Sequence, residues 1–296
     1  MTLGPSYVTD VIDAFSGFLA GIRKLQPGLG AQPIEGSIAD TERRGFPLPE
    51  LLVDAYGIAG LMIESSADHI DTFVRTIVGP IASFPGCTCI RSMLEPCALA
   101  AWLTEPDIGA GERASRVFAT RYDAIVEQSK WATAAYPGKS LRSDTDVRIE
   151  NLERKAASLG YSPVRDQSGR RIGIGCKRPA ATTLIDDMLG EKAAFRLLSA
   201  VAHGQHWALS QIGFEQEDRA GNTRSAETVP VRTLKKTARA EVIAFLGVCA
   251  LRSFARPVTF MLKYGGHDSG PFDRLLATTF DFLRVPEAQR HSSIPK

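Results

Sequence analysis

The chain has 296 residues, a formal net charge of +2 at pH 7 and 44% hydrophobic residues. This hydrophobic content is enough for a folded core and argues against intrinsic disorder. The near-neutral charge excludes a protein that binds polyanions over its whole surface, so a basic site would have to be local. The length fits one large domain, and we expect a single domain over residues 1–296.

The first residues, the longest apolar run and the cysteine count give no indication of a membrane or of an oxidising compartment. The first residues lack the basic region of a signal peptide, and the longest apolar run, at 242–251, is too short to cross a bilayer. The five cysteines are an odd number, which is typical of reduced thiols. Cys87 and Cys89 are separated by a single residue, whereas two to four residues usually separate paired zinc ligands. We therefore expect a cytoplasmic protein without membrane contact, with cysteines that pack in the core and no metal or cofactor.

Apolar residues at helical spacing predict helices through the first half of the chain. The first helix is predicted over residues 8–25, and a connector rich in Gly and Pro follows at 26–49. Longer helices are predicted at 51–78, 88–103 and 111–136.

Two short helices and two longer ones are predicted in the second half, in addition to a helix at 195–212. Ser or Thr with Asp three residues later is the spacing of a capping box, and it predicts where the short helices begin. These pairs are Ser143 with Asp146 and Thr183 with Asp186. The longer helices are predicted at 234–264, with a kink at Pro257, and at 271–283.

Two segments interrupt the helical pattern and predict small β insertions. Residues 161–179 predict a basic hairpin or loop, and residues 213–231 predict a second hairpin or loop. The fold class predicted is therefore mainly α, a helical bundle with one or two small β-hairpin insertions. The basic side chains of the first insertion could hold phosphate groups, or could be ordinary solvated charge. They are Arg170, Arg171, Lys177 and Arg178.

The segment at 195–212 predicts one continuous helix with an unusual polar face. Its apolar residues gather on one side, and the opposite side carries a single charged residue, Arg196. A solvated face normally carries Lys and Glu, so we expect Arg196, His203 and His206 to be buried, in a pocket or in an interface. Ser199 lies on the same predicted face and is a candidate binding residue.

Arg196 and His203 are seven residues apart, which is close to two helical turns, so both side chains should point the same way. A histidine can move a proton near neutral pH, and an arginine beside it can hold a phosphate. Together they could cleave RNA without a metal. The alternative is a hydrogen-bonded core histidine and an arginine paired with a carboxylate.

Arg91 and Glu95 are the two charged residues of the otherwise apolar helix predicted at 88–103. Unpaired burial of charge is costly, so they should form a buried ion pair against the helix at 195–212. The functional alternative is that Glu95 crosses the bundle and orients Arg196 or His203, with Arg91 as a binding residue. Pro96 follows Glu95 and could bend the helix there.

The sequence from Phe195 to Gly204, with Arg196 and His203 in an Arg-x6-His element late in a helical bundle, resembles the Arg-x4–6-His motif of HEPN-domain proteins. A looser similarity to a group of bacterial helical proteins covers residues 51–212. The resemblance implies a helical bundle that forms a homodimer, often a metal-independent RNase of defence or toxin–antitoxin systems. It also implies Arg196 and His203 as the catalytic pair, with RNA or a cognate protein as partner.

Two other functions stay open from the sequence, and whether the chain is an enzyme is not decided. One is a non-enzymatic helical module that binds a protein partner or a nucleotide through the same face. The other is a metal-dependent bundle hydrolase, because carboxylates and histidines on facing helices can form metal sites. The candidate ligands are Glu64, Asp68 and His69 on one helix and His203 and His206 on another.

Overall fold

The computed structural model describes residues 5–29, 32–78, 84–136, 142–217, 233–236 and 239–283. Within these ranges the chain forms eleven helices and two antiparallel hairpins. The predicted fold class, mainly α with small β insertions, is therefore confirmed. The expectation of a single domain stays a prediction.

The first half contains the four predicted helices and one that was not predicted. The helices are α1 (Pro5–Leu29), α2 (Ile38–Gly45), α3 (Pro49–Ile77), α4 (Pro85–Thr104) and α5 (Ala110–Ala135). The connector predicted at 26–49 is wrong over α2, which begins at a Ser-x-x-Asp sequence whose two side chains both bond backbone N–H groups. Ser37 Oγ accepts the Asp40 N–H at 3.2 Å, and Asp40 Oδ2 accepts the Gly36 N–H at 2.9 Å. These bonds satisfy N–H groups that a helix start would otherwise leave free.

The second half alternates short helices with hairpin strands. It contains α6 (Arg142–Ala157), β1 (Pro163–Arg165), β2 (Arg171–Ile174), α7 (Ala181–Leu189), α8 (Lys192–Ala202), α9 (His206–Gly213), β3 (Phe214–Glu217), β4 (Thr233–Lys236), α10 (Ala240–Gly265) and α11 (Gly270–Phe282). The predicted capping starts of the short helices are wrong: α6 already begins before Ser143, and α7 follows Ala180 without a side-chain cap, so Thr183 lies inside it.

Both predicted β insertions contain strands. In the first, β1 pairs antiparallel with β2, with Val164 opposite Gly173. In the second, β3 pairs with β4, with Phe214 opposite Lys236. The second strand lies at 233–236, so α10 begins at Ala240 and the prediction of helix from residue 234 is wrong. Residues 218–232, most of the predicted second insertion, lie outside the described residues, as does the tail from residue 284.

The helix predicted at 195–212 is broken into α8 and α9, so the prediction of one continuous helix is wrong. Gly204 adopts a left-handed φ of 68° after α8. Its N–H donates to the Val201 carbonyl at 3.0 Å, and the Gln205 N–H donates to the Ala200 carbonyl at 2.8 Å. These two bonds form a Schellman motif, which ends a helix by satisfying its last carbonyl groups.

Helix α4 lies at the centre of the packing, with α3 and α10 as its most extensive neighbours and α7 and α8 as smaller ones. Its small residues Ala98, Ala100 and Ala101 are completely buried, which lets neighbouring helices approach closely. The predicted burial of this nearly uncharged helix is confirmed, although α8 is only one of the helices that cover it.

Helix α10 is 26 residues long with a mean hydropathy of 1.4 in its most apolar window, enough by length and composition to cross a membrane. However, 61% of that window is buried inside the fold, where α10 packs on α4, α1 and α3. This is the pattern of a core helix. The helix is continuous through the buried Pro257.

Candidate functional site

The outer face of α8 brings Arg196, Ser199 and His203 together. The His203 N–H donates to the Ser199 carbonyl at 2.9 Å, the bond expected inside a helix, so His203 still follows the helical path although α8 ends there. Ser199 is three residues after Arg196 and four before His203, spacings that put Cβ atoms about 5–6 Å apart. The predicted proximity of the three residues therefore survives the helix break.

Arg196 and His203 are exposed side chains. Neither side chain makes a hydrogen bond or an ion pair with any residue that the structure describes. The prediction that they are buried or in a pocket of this chain is wrong, and contact with a second chain stays a prediction. The structural alternative, a core histidine beside a paired arginine, is wrong as well.

His206 does not share the face of Arg196 and His203 by helical spacing. It is the first residue of α9, beyond the turn at Gly204, and it is exposed. Its predicted position depended on a continuous helix, so that prediction is wrong. Trp207 beside it is 49% exposed, and its indole N–H donates to Gln205 Oε1 at 2.8 Å.

Arg91 connects the central helix α4 to this face. Its Nη2 pairs with Glu95 Oε1 at 2.9 Å, and its Nε donates to Ser199 Oγ at 3.4 Å. The guanidinium carbon lies 5.2 Å from the ring centroid of Phe195, within the range of a cation–π contact. Arg91 therefore reaches α8 at Ser199, the residue between Arg196 and His203.

Glu95 pairs with Arg91, as the structural interpretation of this helix predicted. Its other predicted role, crossing the bundle to orient Arg196 or His203, is not realised by any direct contact among the described residues. The side chains of Arg91 and Glu95 are 29% and 39% exposed, so the predicted deep burial of the pair is wrong. The pair lies at the edge of α4, where it faces both α8 and a pocket on the other side.

The basic cluster of the first hairpin is largely neutralised by carboxylates. The ion pairs are Arg170 with Asp166 at 3.1 Å, Arg171 with Glu153 at 2.6 Å and Arg178 with Asp123 at 3.0 Å. Lys177 is exposed and has no ion pair within the described ranges. Asp166 lies in the hairpin itself, whereas α5 contributes Asp123 and α6 contributes Glu153 from elsewhere in the chain. The phosphate site predicted here from the sequence did not take account of the last two partners.

Two concave sites were missed by the sequence reasoning. A groove of about 380 Å³ between α5 and α6 is lined by Arg121, Arg148 and Lys155, and the helical spacing of the last two could have indicated it. Arg121 pairs with Asp54, and Lys155 lies 3.5 Å from Glu50. A pocket of about 290 Å³ between α3, α4 and α7 includes Glu95 and Arg178, and its sequence signal was the proline inside α4.

The described residues contain no group of three or more His, Cys, Asp or Glu side chains placed to hold a metal ion. Glu64 and Asp68 are exposed, as their interpretation as solvated residues predicted. The core packing predicted for cysteines is confirmed for Cys87 and Cys97, both fully buried. Burial raises the pKa of Cys87 to about 11 and that of Cys97 to about 12, which keeps both as neutral thiols.

Comparison with protein-family models, with curated proteins and with solved structures found no match to this chain. Chemically, the α8 face offers a histidine that can exchange a proton, one arginine unpaired among the described residues and a second arginine one helix away. This combination suits an anionic substrate whose charge increases during reaction.

Proposed function

We propose that the chain is a HEPN-like, metal-independent RNase of a defence or toxin-type system, with Arg196 and His203 as its catalytic pair. The observation that supports this most is that both side chains are exposed and lack partners among the described residues. Side chains with a structural role are normally hydrogen-bonded or packed. Side chains held on one helix without partners are available to a substrate.

The reaction follows from the two side chains. His203 takes the proton from an RNA 2′-hydroxyl, and the resulting oxygen attacks the adjacent phosphorus. Arg196 stabilises the additional negative charge of the phosphorane with a guanidinium that fits phosphate oxygens. The bond to the 5′-oxygen then breaks, leaving a 2′,3′-cyclic phosphate, and a histidinium returns a proton to the 5′-oxygen.

Arg91 is a positioning residue in this proposal. Its contacts with Ser199 and Phe195 join α4 to α8 at the level of the catalytic pair. Glu95 acts through Arg91 by holding its guanidinium at 2.9 Å. In this proposal Glu95 orients the catalytic pair indirectly, through Arg91 and then through Ser199 and Phe195 of α8.

The active unit we propose is a homodimer in which the α8 faces of two copies meet. In one copy Arg196 and His203 lie on an open surface, and a strand of RNA would need a second wall to exclude water. An isologous contact would supply that wall and place two arginines beside each phosphate. The exposed Trp207 beside this face is the type of residue that anchors interfaces.

The test is cleavage of a fluorogenic, unstructured RNA in excess EDTA. We expect Arg196→Ala and His203→Ala each to lower the rate by roughly 100-fold or more, as loss of a general base or a charge-stabilising group does. His206→Ala and Arg154→Ala are matched controls, because both residues are exposed and unpaired within the described ranges. The proposal is contradicted if the control variants lose as much cleavage activity as the Arg196 and His203 variants. It is also contradicted if folded wild type cleaves none of several RNAs.

A second candidate function is a binding module without catalysis, acting through the same face. The observation that favours it is that Trp207 on α9 and Arg196 on α8 are both exposed, since Trp and Arg dominate the energetics of protein interfaces. This function would be indicated if the protein does not cleave RNA and if Trp207→Ala and Arg196→Ala each abolish binding to a protein partner.

A further inference from the structure

The pocket between α3, α4 and α7 combines an apolar wall with separated polar groups. Met62, Leu99 and Leu184 provide apolar surface from the three helices. Five of the ten lining residues are polar or charged: Ser65, His69, Ser92, Glu95 and Arg178. Ligand sites likewise combine apolar surface with polar groups that fix orientation. A volume of about 290 Å³ restricts the occupant to a small molecule.

Pro96 lines this pocket from the middle of α4, the most deeply packed helix of the fold. Proline has no N–H, so the carbonyl of Ser92, four residues earlier, loses its helical hydrogen-bond donor. Ser92 lines the same pocket. A proline inside a helix costs about 3 kcal/mol, and such violations of local preference are concentrated at functional sites. A residue that lines the pocket therefore carries a backbone carbonyl whose usual helical donor is missing.

Glu95 and Arg178 line the pocket without pairing with each other. Glu95 uses Oε1 for Arg91, so Oε2 remains an acceptor without a partner in the described part of the chain. The Nε of Arg178 pairs with Asp123, and its terminal nitrogens make no hydrogen bond within the described ranges. Ala181, the first residue of α7, also lines the pocket, and α7 has no side-chain cap, so its first N–H groups are free donors.

We infer that this pocket binds a free α-amino acid with an apolar side chain. The ammonium group donates to the Glu95 carboxylate and the Ser92 carbonyl. The carboxylate is held by Arg178 and by the free N–H groups at the start of α7, where the helix dipole favours negative charge. The side chain packs on Met62, Leu99 and Leu184. This site does not depend on the RNase proposal, because none of these contacts involves Arg196 or His203. Glu95 is the one residue that both proposals use, with Oε1 pairing with Arg91 and Oε2 facing the ammonium group.

Calorimetry and thermal unfolding of the full chain test the inference with L-leucine and L-methionine as probes. Two matched compounds each lack one charged group: 4-methylpentanoate lacks the ammonium group, and 3-methylbutylamine lacks the carboxylate. We expect both to bind at least about 10-fold more weakly than L-leucine, the equivalent of 1.4 kcal/mol. The amino acids are tested at up to about 10 mM, a concentration above the Kd of even a weak specific site. If no apolar amino acid gives a heat of binding or raises the melting temperature at that concentration, the inference is overturned.

Variants locate the site. Glu95→Gln and Arg178→Gln should each weaken L-leucine binding by at least about 10-fold, the effect of losing one charged contact. Glu64→Gln on α3 and Arg170→Gln on the hairpin are matched controls outside the pocket and should bind as wild type does. Equal affinity of all four variants would overturn the assignment of the pocket.

Pro96→Ala gives a second readout that does not remove a charged group. The new N–H can donate to the Ser92 carbonyl, so the unliganded protein should not lose melting temperature while L-leucine binds more weakly. An unchanged affinity for L-leucine would overturn the role of this carbonyl.

Discussion

Arg113 is the most completely buried charged residue in the described part of the chain. Its Nε pairs with Glu42 at 2.9 Å, and its guanidinium stacks on Tyr264 with the carbon 3.9 Å from the ring centroid. The terminal nitrogens donate to the carbonyl groups of Leu103 and Glu105 at 2.6 and 3.0 Å. The last turn of α4 and the loop after it are thereby fixed to α5 by one side chain.

Removing this arginine should cost far more than removing a partly exposed charge. Arg113→Ala leaves Glu42 without its cation, with the Tyr264 hydroxyl as its remaining donor, and removes the donor of the Leu103 and Glu105 carbonyl groups. We expect a loss of about 3–5 kcal/mol in the free energy of unfolding. Glu95→Ala should cost less than about 1 kcal/mol, because its pair with Arg91 is partly solvated. Urea unfolding of both variants checks this, and equal losses would contradict it. From the sequence, burial of Glu95 predicted a loss of about 2–4 kcal/mol by the same principle.

Asp40 should contribute to the acid sensitivity of the fold. The Gly36 N–H, with Arg43 and then Arg44, holds the pKa of this carboxyl below its ordinary value of 3.8. Its stabilising contribution is therefore complete above pH 3.8 and is lost as the pH falls from there through the lowered pKa. Asp40→Asn should reduce stability at neutral pH and flatten the decrease below pH 4. Unfolding curves at several pH values measure this, and parallel curves for wild type and variant would contradict it.

At the scale of elements, the end of α8 can be tested through Gly204. Its φ of 68° is unfavourable for any residue with a Cβ, although a Cβ there would meet no atom within 4 Å. Gly204→Ala should therefore cost about 1–2 kcal/mol through backbone strain alone. Gly57→Ala is the matched control: it lies inside α3, a Cβ added to it would likewise meet no atom within 4 Å, and it should stabilise by about 0.5–1 kcal/mol. Thermal unfolding distinguishes the two, and a shared sign would show that positive φ is not the cause.

The positions of the long helices could be predicted from the sequence because each buries a continuous apolar face. The short elements could not, because local signals occur more often than the structures they predict. The Ser-x-x-Asp spacing occurs at Ser37 with Asp40, where it starts α2, and its Thr equivalent occurs at Thr183 with Asp186, where it starts nothing. At the first pair, the tertiary fold turns the chain before Ser37 so that Asp40 Oδ2 accepts the Gly36 N–H. Only packing decides between such pairs.

The candidate site could be predicted only in part, because local spacing can be inferred from the sequence and tertiary contacts cannot. The spacing of Arg196 and His203 follows from helical geometry, and it holds although the helix ends at the second residue. Their exposure did not follow, because a face without Lys and Glu predicted burial. The ion pairs of Arg171 and Arg178 with Glu153 and Asp123 could not be predicted either, since they join segments that only the tertiary fold brings together.

At the scale of the whole molecule, stability should depend on the small residues of α4. Ala101→Leu adds volume between helices that already touch, and we expect a loss of about 1–3 kcal/mol. Ala20→Leu is the control, because Ala20 is exposed on α1 and leucine is nearly as good a helix former as alanine. Chemical denaturation measures both changes, and a tolerant Ala101 would mean that α4 is less tightly enclosed than its burial indicates.

The position of α10 also has a consequence for biosynthesis. A ribosome delivers α3 and α4 long before residues 240–265, the helix that completes their enclosure. Until α10 has been synthesised, the nascent chain exposes the apolar side of α4. When α10 then leaves the ribosome, it is hydrophobic enough to be mistaken for a membrane anchor. Folding of the core is therefore expected to be largely post-translational, with a period in which chaperones would bind the growing chain. Ribosome-bound chains arrested before residue 240 should be cut rapidly by protease at α4, whereas chains arrested well after residue 283 should resist.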